Sequence, residues 1–180
     1  MMKNVTWIAT LLVGGFCFAG KAQAGWKKEL SKELPLMGHR NWVVVADSAY
    51  PLQTAPGIKT IYAGGDHAEV LKAVLEQLSQ QKHVRPVVFT DAELKYVDEK
   101  HAPGIDALRA QLNAALAGVD VQTMPHEKII QQLNEVGKTF QTILIKTDLT
   151  LPYTSVFIRL DCGYWSAEAE RQLRDRIAAE

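Results

Sequence analysis

The stretch Met37-Gly38-His39-Arg40-Asn41-Trp42-Val43-Val44-Val45-Ala46-Asp47 decides how the rest of the chain is read. The run from Trp42 to Ala46 is apolar without interruption, the pattern of a strand covered on both faces. A glycine-flanked histidine precedes it, and Asp47 ends it ahead of Ser48-Ala49-Tyr50-Pro51. An imidazole and a carboxylate therefore stand at opposite ends of one short strand. Rigid backbone of this kind suits a proton-shuttling site, which needs two titratable groups held in place.

Outward from that strand, apolar runs alternate with amphipathic stretches. Thr60-Ile61-Tyr62 reads as a second strand ended by Gly64-Gly65. A helix then starts at Asp66, with Val70, Leu71, Val74, Leu75 and Leu78 on one face. Asp66 can cap it while Glu69 reaches back. Pro86 to Phe89 is a third strand, and the polar segment Thr90 to Gly104 an excursion. Ile105, Leu108, Leu112 and Leu116 mark a second helix, and Val119 to Thr123 another strand. Pro125 suits the first turn of a third helix whose core face is Ile129, Ile130, Leu133 and Val136, terminated at Gly137. Strands at Thr142 to Ile145 and Val156 to Leu160 follow, and Ser166 can cap a last helix carrying Leu173 and Ile177. The alternation predicts an α/β fold: a single three-layer α/β/α domain with a mostly parallel central sheet.

At the N-terminus, Lys3 precedes the apolar run Val5 to Ala19, and Ala22-Gln23-Ala24 has the small-x-small form of a cleavage site. Residues 1–24 thus read as a secretory signal peptide, giving a periplasmic or secreted protein with no stable membrane insertion after cleavage. The domain is expected over 25–165, with a C-terminal helical extension over 166–180. Lysine plus arginine and aspartate plus glutamate each number 20, and no basic stripe is interleaved with aromatics, so no nucleic-acid partner is expected. Of the two cysteines, Cys162 alone would survive cleavage, and a lone thiol closes no intrachain disulfide. Its place at a strand end favours a small buried hydrophobe over a nucleophile.

Ligand-contacting residues in such a sheet collect at strand ends, where His39, Asp47, His126 and Tyr153 are predicted to lie. Each has a plainer explanation: a structurally bonded loop histidine, a turn aspartate before Pro51, a helix-start histidine, and a half-buried aromatic with a satisfied hydroxyl. No metal is expected. Asp66, His67 and Glu69 fit a helix cap better than a cation site, and His126-Glu127 lacks the histidine four residues on that a zinc-protease motif requires. Gly64-Gly65 lacks the third glycine of a nucleotide loop.

Together, Met37-Gly38-His39 to Asp47, Ile58-Lys59-Thr60-Ile61 before a helix, Pro86-Val87-Val88-Phe89, Pro125-His126-Glu127 and Pro152-Tyr153 before the last strand resemble the ribose pyranase and fucose mutarotase family. The resemblance runs from about Leu34 to Gly163. It implies a cofactor-independent enzyme that interconverts anomers or ring forms of a free monosaccharide by general acid/base catalysis, and a homo-oligomer, since the family assembles into rings. It places the catalytic histidine on His39, its acidic partner on Asp47, and sugar contacts on Tyr153, His126 and Ser155. Two departures stand out: Ser155 replaces an asparagine and Leu149 an acidic residue. An amide's reach and two-sided hydrogen bonding are lost. The alternative is an exported non-catalytic carbohydrate-binding protein on the same scaffold, and a structural or assembly role comes third.

Overall fold

The computed structural model describes residues 19–180. Its centre is a six-stranded sheet formed by β1 (Trp42–Ala46), β2 (Ile58–Tyr62), β3 (Val84–Asp91), β4 (Val121–Met124), β5 (Thr142–Lys146) and β6 (Val156–Cys162), in the order β2-β5-β1-β6-β3-β4. The pairs β1–β5, β2–β5 and β3–β4 are parallel, and β6 runs antiparallel to both β1 and β3. The sheet is therefore mostly parallel, with one reversed strand near its centre.

Helices occupy both faces because strands in the middle bury both. On one side, α1 (Ala19–Glu33), α2 (His67–Ser79) and α3 (Ile105–Ala115) cover Val43, Val45, Val88, Ile143, Ile145 and Ile158 with Leu30, Leu71, Val74, Ile105 and Leu108. On the other, α4 (His126–Val136) seats Ile129 and Leu133 against Val44, Phe89, Leu144 and Phe157. All five side chains of β1 are buried. Each large one contributes roughly 1.5–3 kcal/mol of transfer free energy, which makes β1 the most firmly held element near the site.

Local signals place the helices. Asp66 caps α2 by accepting the Glu69 amide, whereas Glu69 pairs outward with Lys72 and does not reach back as the sequence suggested. Pro125 is the residue before α4 and not part of its first turn, so the helix opens at His126, one residue later than predicted. Gly137 ends α4 in a right-handed conformation. It is needed for close approach: a Cβ there would lie 2.8 Å from Ile58, and its carbonyl accepts the Gly57 amide at 3.0 Å.

Strand limits differ from the sequence reading mainly at β3 and β6, which are longer because they pair with each other along their length, from Val84 opposite Cys162 to Thr90 opposite Val156. Cys162 accordingly ends the strand half-buried, not buried as expected. Ser166 caps α5 (Ala167–Ala178) by accepting the Ala169 amide. That helix buries no residue, and Leu173 and Ile177 remain 40% and 55% exposed, so it does not dock on the body of its own chain. Among the described residues no helix is long and apolar enough to cross a membrane.

Candidate functional site

Parallel strands β1, β3, β4 and β5 finish at the same edge of the sheet, and the reversed strand β6 starts there. Asp47 follows β1, Asp91 is the last residue of β3, His126 follows β4 by one proline, and Thr147 follows β5. Val156 of β6 pairs with Val45 on one side and Thr90 on the other. Ser155, just before it, consequently stands between the ends of β1 and β3. Topology alone gathers two carboxylates, an imidazole, a hydroxyl and, through Tyr153, a phenol at one end of the molecule.

The contacts are specific. The Ser155 hydroxyl donates to an Asp47 carboxylate oxygen at 3.0 Å, and the other Asp47 oxygen accepts the Ala49 amide at 2.9 Å. Ser155 is only 2% exposed, so its hydroxyl is committed to Asp47 and is not itself presented at the surface. His126 Nδ1 lies 3.1 Å from an Asp91 oxygen, and its ring meets the Tyr153 ring edge-on with centroids 5.4 Å apart. The backbone amide of His126 donates to both oxygens of Glu93, at 3.0 and 3.1 Å, fixing the start of α4 from another element. Tyr153 has a left-handed backbone, φ 57°, which for a bulky residue signals strain held by its surroundings. Arg40, beside His39, is the other non-glycine residue with positive φ among the described residues.

Electrostatics single out Asp91. Its side chain is fully buried, and neither oxygen has an aligned hydrogen-bond partner among the described residues; the His126 contact is close but off-axis. Burial pushes its carboxyl up to about 6, with His126 pulling down and the negative charges of Glu93 and Asp47 pushing further up. Burial likewise raises the nearby Tyr50 phenol to about 12; the Gln53 side-chain hydrogen bond lowers it, and Asp91 and Asp47 add to the rise. His67, at the start of α2, is buried with Nδ1 2.8 Å from the Thr147 hydroxyl, which itself donates to the Ala46 carbonyl at 3.1 Å. Burial lowers the pKa of His67, against the Thr154 backbone and the charges of Asp47 and Asp66. Of the three residues weighed as a metal group, Asp66 thus caps a helix, His67 turns inward and Glu69 faces Lys72.

His39 is elsewhere. It lies in the turn before β1, so the whole strand, about 17 Å, separates it from Asp47. That span exceeds a monosaccharide. Within one chain the structure therefore brings together Asp47, Ser155, His126 and Tyr153 and leaves His39 at the far edge. The roomier grooves are also at that far edge. One, about 600 Å³, is lined by Arg40, Trp42, Phe140 and Arg159 among others; another, about 660 Å³, by His39, Arg85, Asp161, Trp165 and Glu170 among others. No titratable group lining either is buried, whereas at the Asp47 edge a cavity of about 330 Å³ is lined by the buried Asp91 and another of about 290 Å³ opens beside Asp47, Ser48, Ala49, Thr150, Leu151 and Pro152. Perturbed, rigidly held groups mark chemistry better than volume does, so the Asp47 end is the candidate site.

The sequence reading missed Asp91, Glu93 and Tyr50. A carboxylate at the end of an apolar run, the same signal that pointed to Asp47, was available in Val87-Val88-Phe89-Thr90-Asp91. It was absorbed into the polar segment that follows. Leu149 contributes its carbonyl, which accepts the Ser48 amide at 2.7 Å, while the neighbouring carboxylate Asp148 turns away to Tyr62 and Gly65.

The mixed, mostly parallel six-stranded sheet defines an α/β protein whose fold is found among solved structures. Ribose-bound RbsD of Bacillus subtilis is 17% identical, with 77% of this chain and 93% of that one covered and a TM-score of 0.53. The fucose mutarotase of Streptococcus pneumoniae in complex with L-fucose is 19% identical, with 73% and 89% covered and a TM-score of 0.49. FucU from Bifidobacterium longum is 16% identical, with 73% and 92% covered and a TM-score of 0.49. At these identities the likeness to RbsD establishes the fold. No curated protein matches the chain. A model of the RbsD / FucU transport protein family matches residues 21–162, and the chain belongs to that family.

Membership corrects the expected periplasmic or secreted location. Members of this family are cytoplasmic enzymes. The family match begins at residue 21, ahead of the anticipated cleavage after Ala24, and helix α1 runs unbroken from Ala19 to Glu33 through Ala22-Gln23-Ala24. The remainder of the anticipated leader lies outside the described residues.

Proposed function

We propose that the protein interconverts anomers or ring forms of a free monosaccharide by general acid/base catalysis without a cofactor, Asp47 and His39 acting on the anomeric hydroxyl and ring oxygen. Opening the hemiacetal moves the anomeric hydroxyl proton to a base as the bond from the anomeric carbon to the ring oxygen breaks, and an acid protonates that oxygen; closure on the other face reverses both transfers. The observation that carries this reading is the convergence of Asp47, Ser155, His126 and Tyr153 on one strand edge in a chain of this family. Tyr153 covers an apolar sugar face, and His126 binds a hydroxyl.

His39 takes part through a neighbouring copy. Its distance along β1 from Asp47 demands this, and a head-to-tail ring, which closes by repeating one heterologous contact, delivers the turn before β1 of one subunit to the strand edge of the next. The exposed left-handed turn at His39-Arg40 is then part of an interface.

The second reading, a carbohydrate-binding protein without turnover, draws support from Ser155, whose buried hydroxyl is committed to Asp47 where an amide would also reach the sugar. NMR saturation transfer between anomers of ribose, fucose and galactose separates the two. The proposal expects exchange above buffer for at least one sugar, lost in His39→Ala and Asp47→Asn. Line broadening without exchange means binding alone, and an unaffected pair of variants means the site is misassigned.

A further inference from the structure

We propose that Asp91 is a positioning residue for His126, keeping the imidazole proton on Nδ1 so that Nε2 is presented to the ligand as an acceptor. The role of the acceptor rests on the sugar reading above; the carboxylate–imidazole pair does not.

Three constraints meet on the one ring. Glu93 holds the His126 backbone amide with both carboxylate oxygens, so the Cα is fixed at the first residue of α4. Tyr153 packs edge-on against the imidazole from the loop before β6. Asp91, from the end of β3, sets a fully buried carboxylate 3.1 Å from Nδ1. A buried carboxylate without an aligned partner is costly, and it persists where a group beside it supplies a proton or positive charge. Glu93 on the following turn, Asp47 after β1 and the Tyr50 phenol in the loop beyond it act on Asp91, and of the basic residues lining the cavity beside it, Lys95 and Arg109, Arg109 is taken up by the Leu94 and Val97 carbonyls and by Asp106. Among the groups that act on Asp91 the imidazole alone can also carry positive charge, and its Nδ1 is the atom set 3.1 Å from the carboxylate.

That assignment fixes the chemistry of the other ring nitrogen. A neutral imidazole with hydrogen on Nδ1 has a lone pair on Nε2, which accepts from a sugar hydroxyl. The side chain of His126 is 31% exposed while that of Asp91 is wholly covered, so the ring spans the boundary between protein and ligand. The off-axis approach leaves room for the bond to tighten when a ligand turns the ring. Burial of Asp91, which lifts its carboxyl to about 6, further implies that the pair loses its grip as pH falls below neutrality and the carboxylate takes up a proton.

The test is nitrogen NMR of the His126 ring in the full-length protein at pH 7.5, wild type against Asp91→Asn, together with the anomer-exchange assay on each. Wild-type Nδ1 is expected to show the protonated, pyrrole-type shift and Nε2 the pyridine-type shift. In Asp91→Asn the amide can donate to Nδ1 and the pattern reverses. In the exchange assay the variant raises KM about tenfold and lowers kcat less than about threefold, the split of lost binding orientation and not of a damaged fold. Protonated Nε2 in the wild type overturns the proposal, and so does a tautomer that ignores the substitution or an unchanged KM. If Asp91→Asn does not fold, the wild-type shifts decide alone. If the wild type exchanges no sugar, the functional reading fails, and the shifts still decide the pair.

Discussion

The two ends of β1 are built from the same strand and differ in almost everything that matters for chemistry. At the Asp47 end, the termini of the five parallel strands and the start of β6 meet, a carboxylate is wholly buried, and side chains are tied to one another across the sheet. At the His39 end, the grooves are larger, but the charged groups in them are exposed or half-exposed and pair as surface ions, as Arg85 does with Asp161 at 2.6 Å. Exposed pairs of that kind contribute little, about 0–1 kcal/mol. The difference teaches that cavity size and reactive potential are separate properties. Parallel topology creates the reactive end, and the other end is free to serve contacts between copies.

The largest expected effect falls on the reactive end. Asp47→Asn should reduce anomer exchange by about 10²–10⁴-fold while the far-UV circular dichroism is unchanged, because the amide still satisfies Ser155. Exchange within a factor of two of wild type would show that the strand edge is not the seat of chemistry.

Asp91 provides the second test, and it separates function from stability. Its carboxyl has a folded value of about 6 against an ordinary value of 3.8, so the native state binds that proton more tightly than the unfolded chain does. Stability from this group is present in full below about pH 4 and is lost as pH rises through 6. The shift corresponds to at most about 3 kcal/mol. Asp91→Asn should therefore stabilise the protein by about 1–2 kcal/mol in urea at pH 8 and by nothing measurable at pH 4, even as it weakens ligand binding. Destabilisation at pH 8 would mean that the His126 contact outweighs burial.

Smaller effects follow. Tyr153→Gly should relieve about 1 kcal/mol of left-handed strain, offset in part by the lost packing on His126, and should weaken sugar binding in a titration. Unaltered affinity would remove Tyr153 from the site. At the opposite end, stopping the chain after Trp165 should change the urea unfolding free energy at low protein concentration by less than about 0.5 kcal/mol, because α5 buries nothing within its own chain. A larger loss would show that the helix packs on something after all.

Much of this comparison was legible in the sequence, and the gaps have physical causes. The unbroken apolar run of β1 announced a strand buried on both faces, and His39 and Asp47 could be placed at its two ends by counting. Asp66 and Ser166 marked helix starts because a cap acts within a few residues of itself. What local pattern could not reveal was which strand ends share an edge. That depends on β6 running backwards between β1 and β3, a fact of pairing that no single segment encodes. Without it, His39 was grouped with residues at the other edge, and Asp91 passed as part of a polar excursion. Cys162 was misjudged for the same reason, since the length of β6 is set by its partner β3. The leader-like composition of the N-terminus also misled, because the small residues Ala22 and Ala24 serve a helix equally well.

The measurement that bears most directly on the account is subunit complementation. His39→Ala and Asp47→Asn proteins, each inactive alone, are unfolded together in equal amounts, refolded and assayed for anomer exchange. If His39 of one copy serves Asp47 of the next, random assembly restores about one quarter of the wild-type rate, because that share of sites draws an intact residue from each side. A mixture as inactive as its two parents would contradict a site shared between copies.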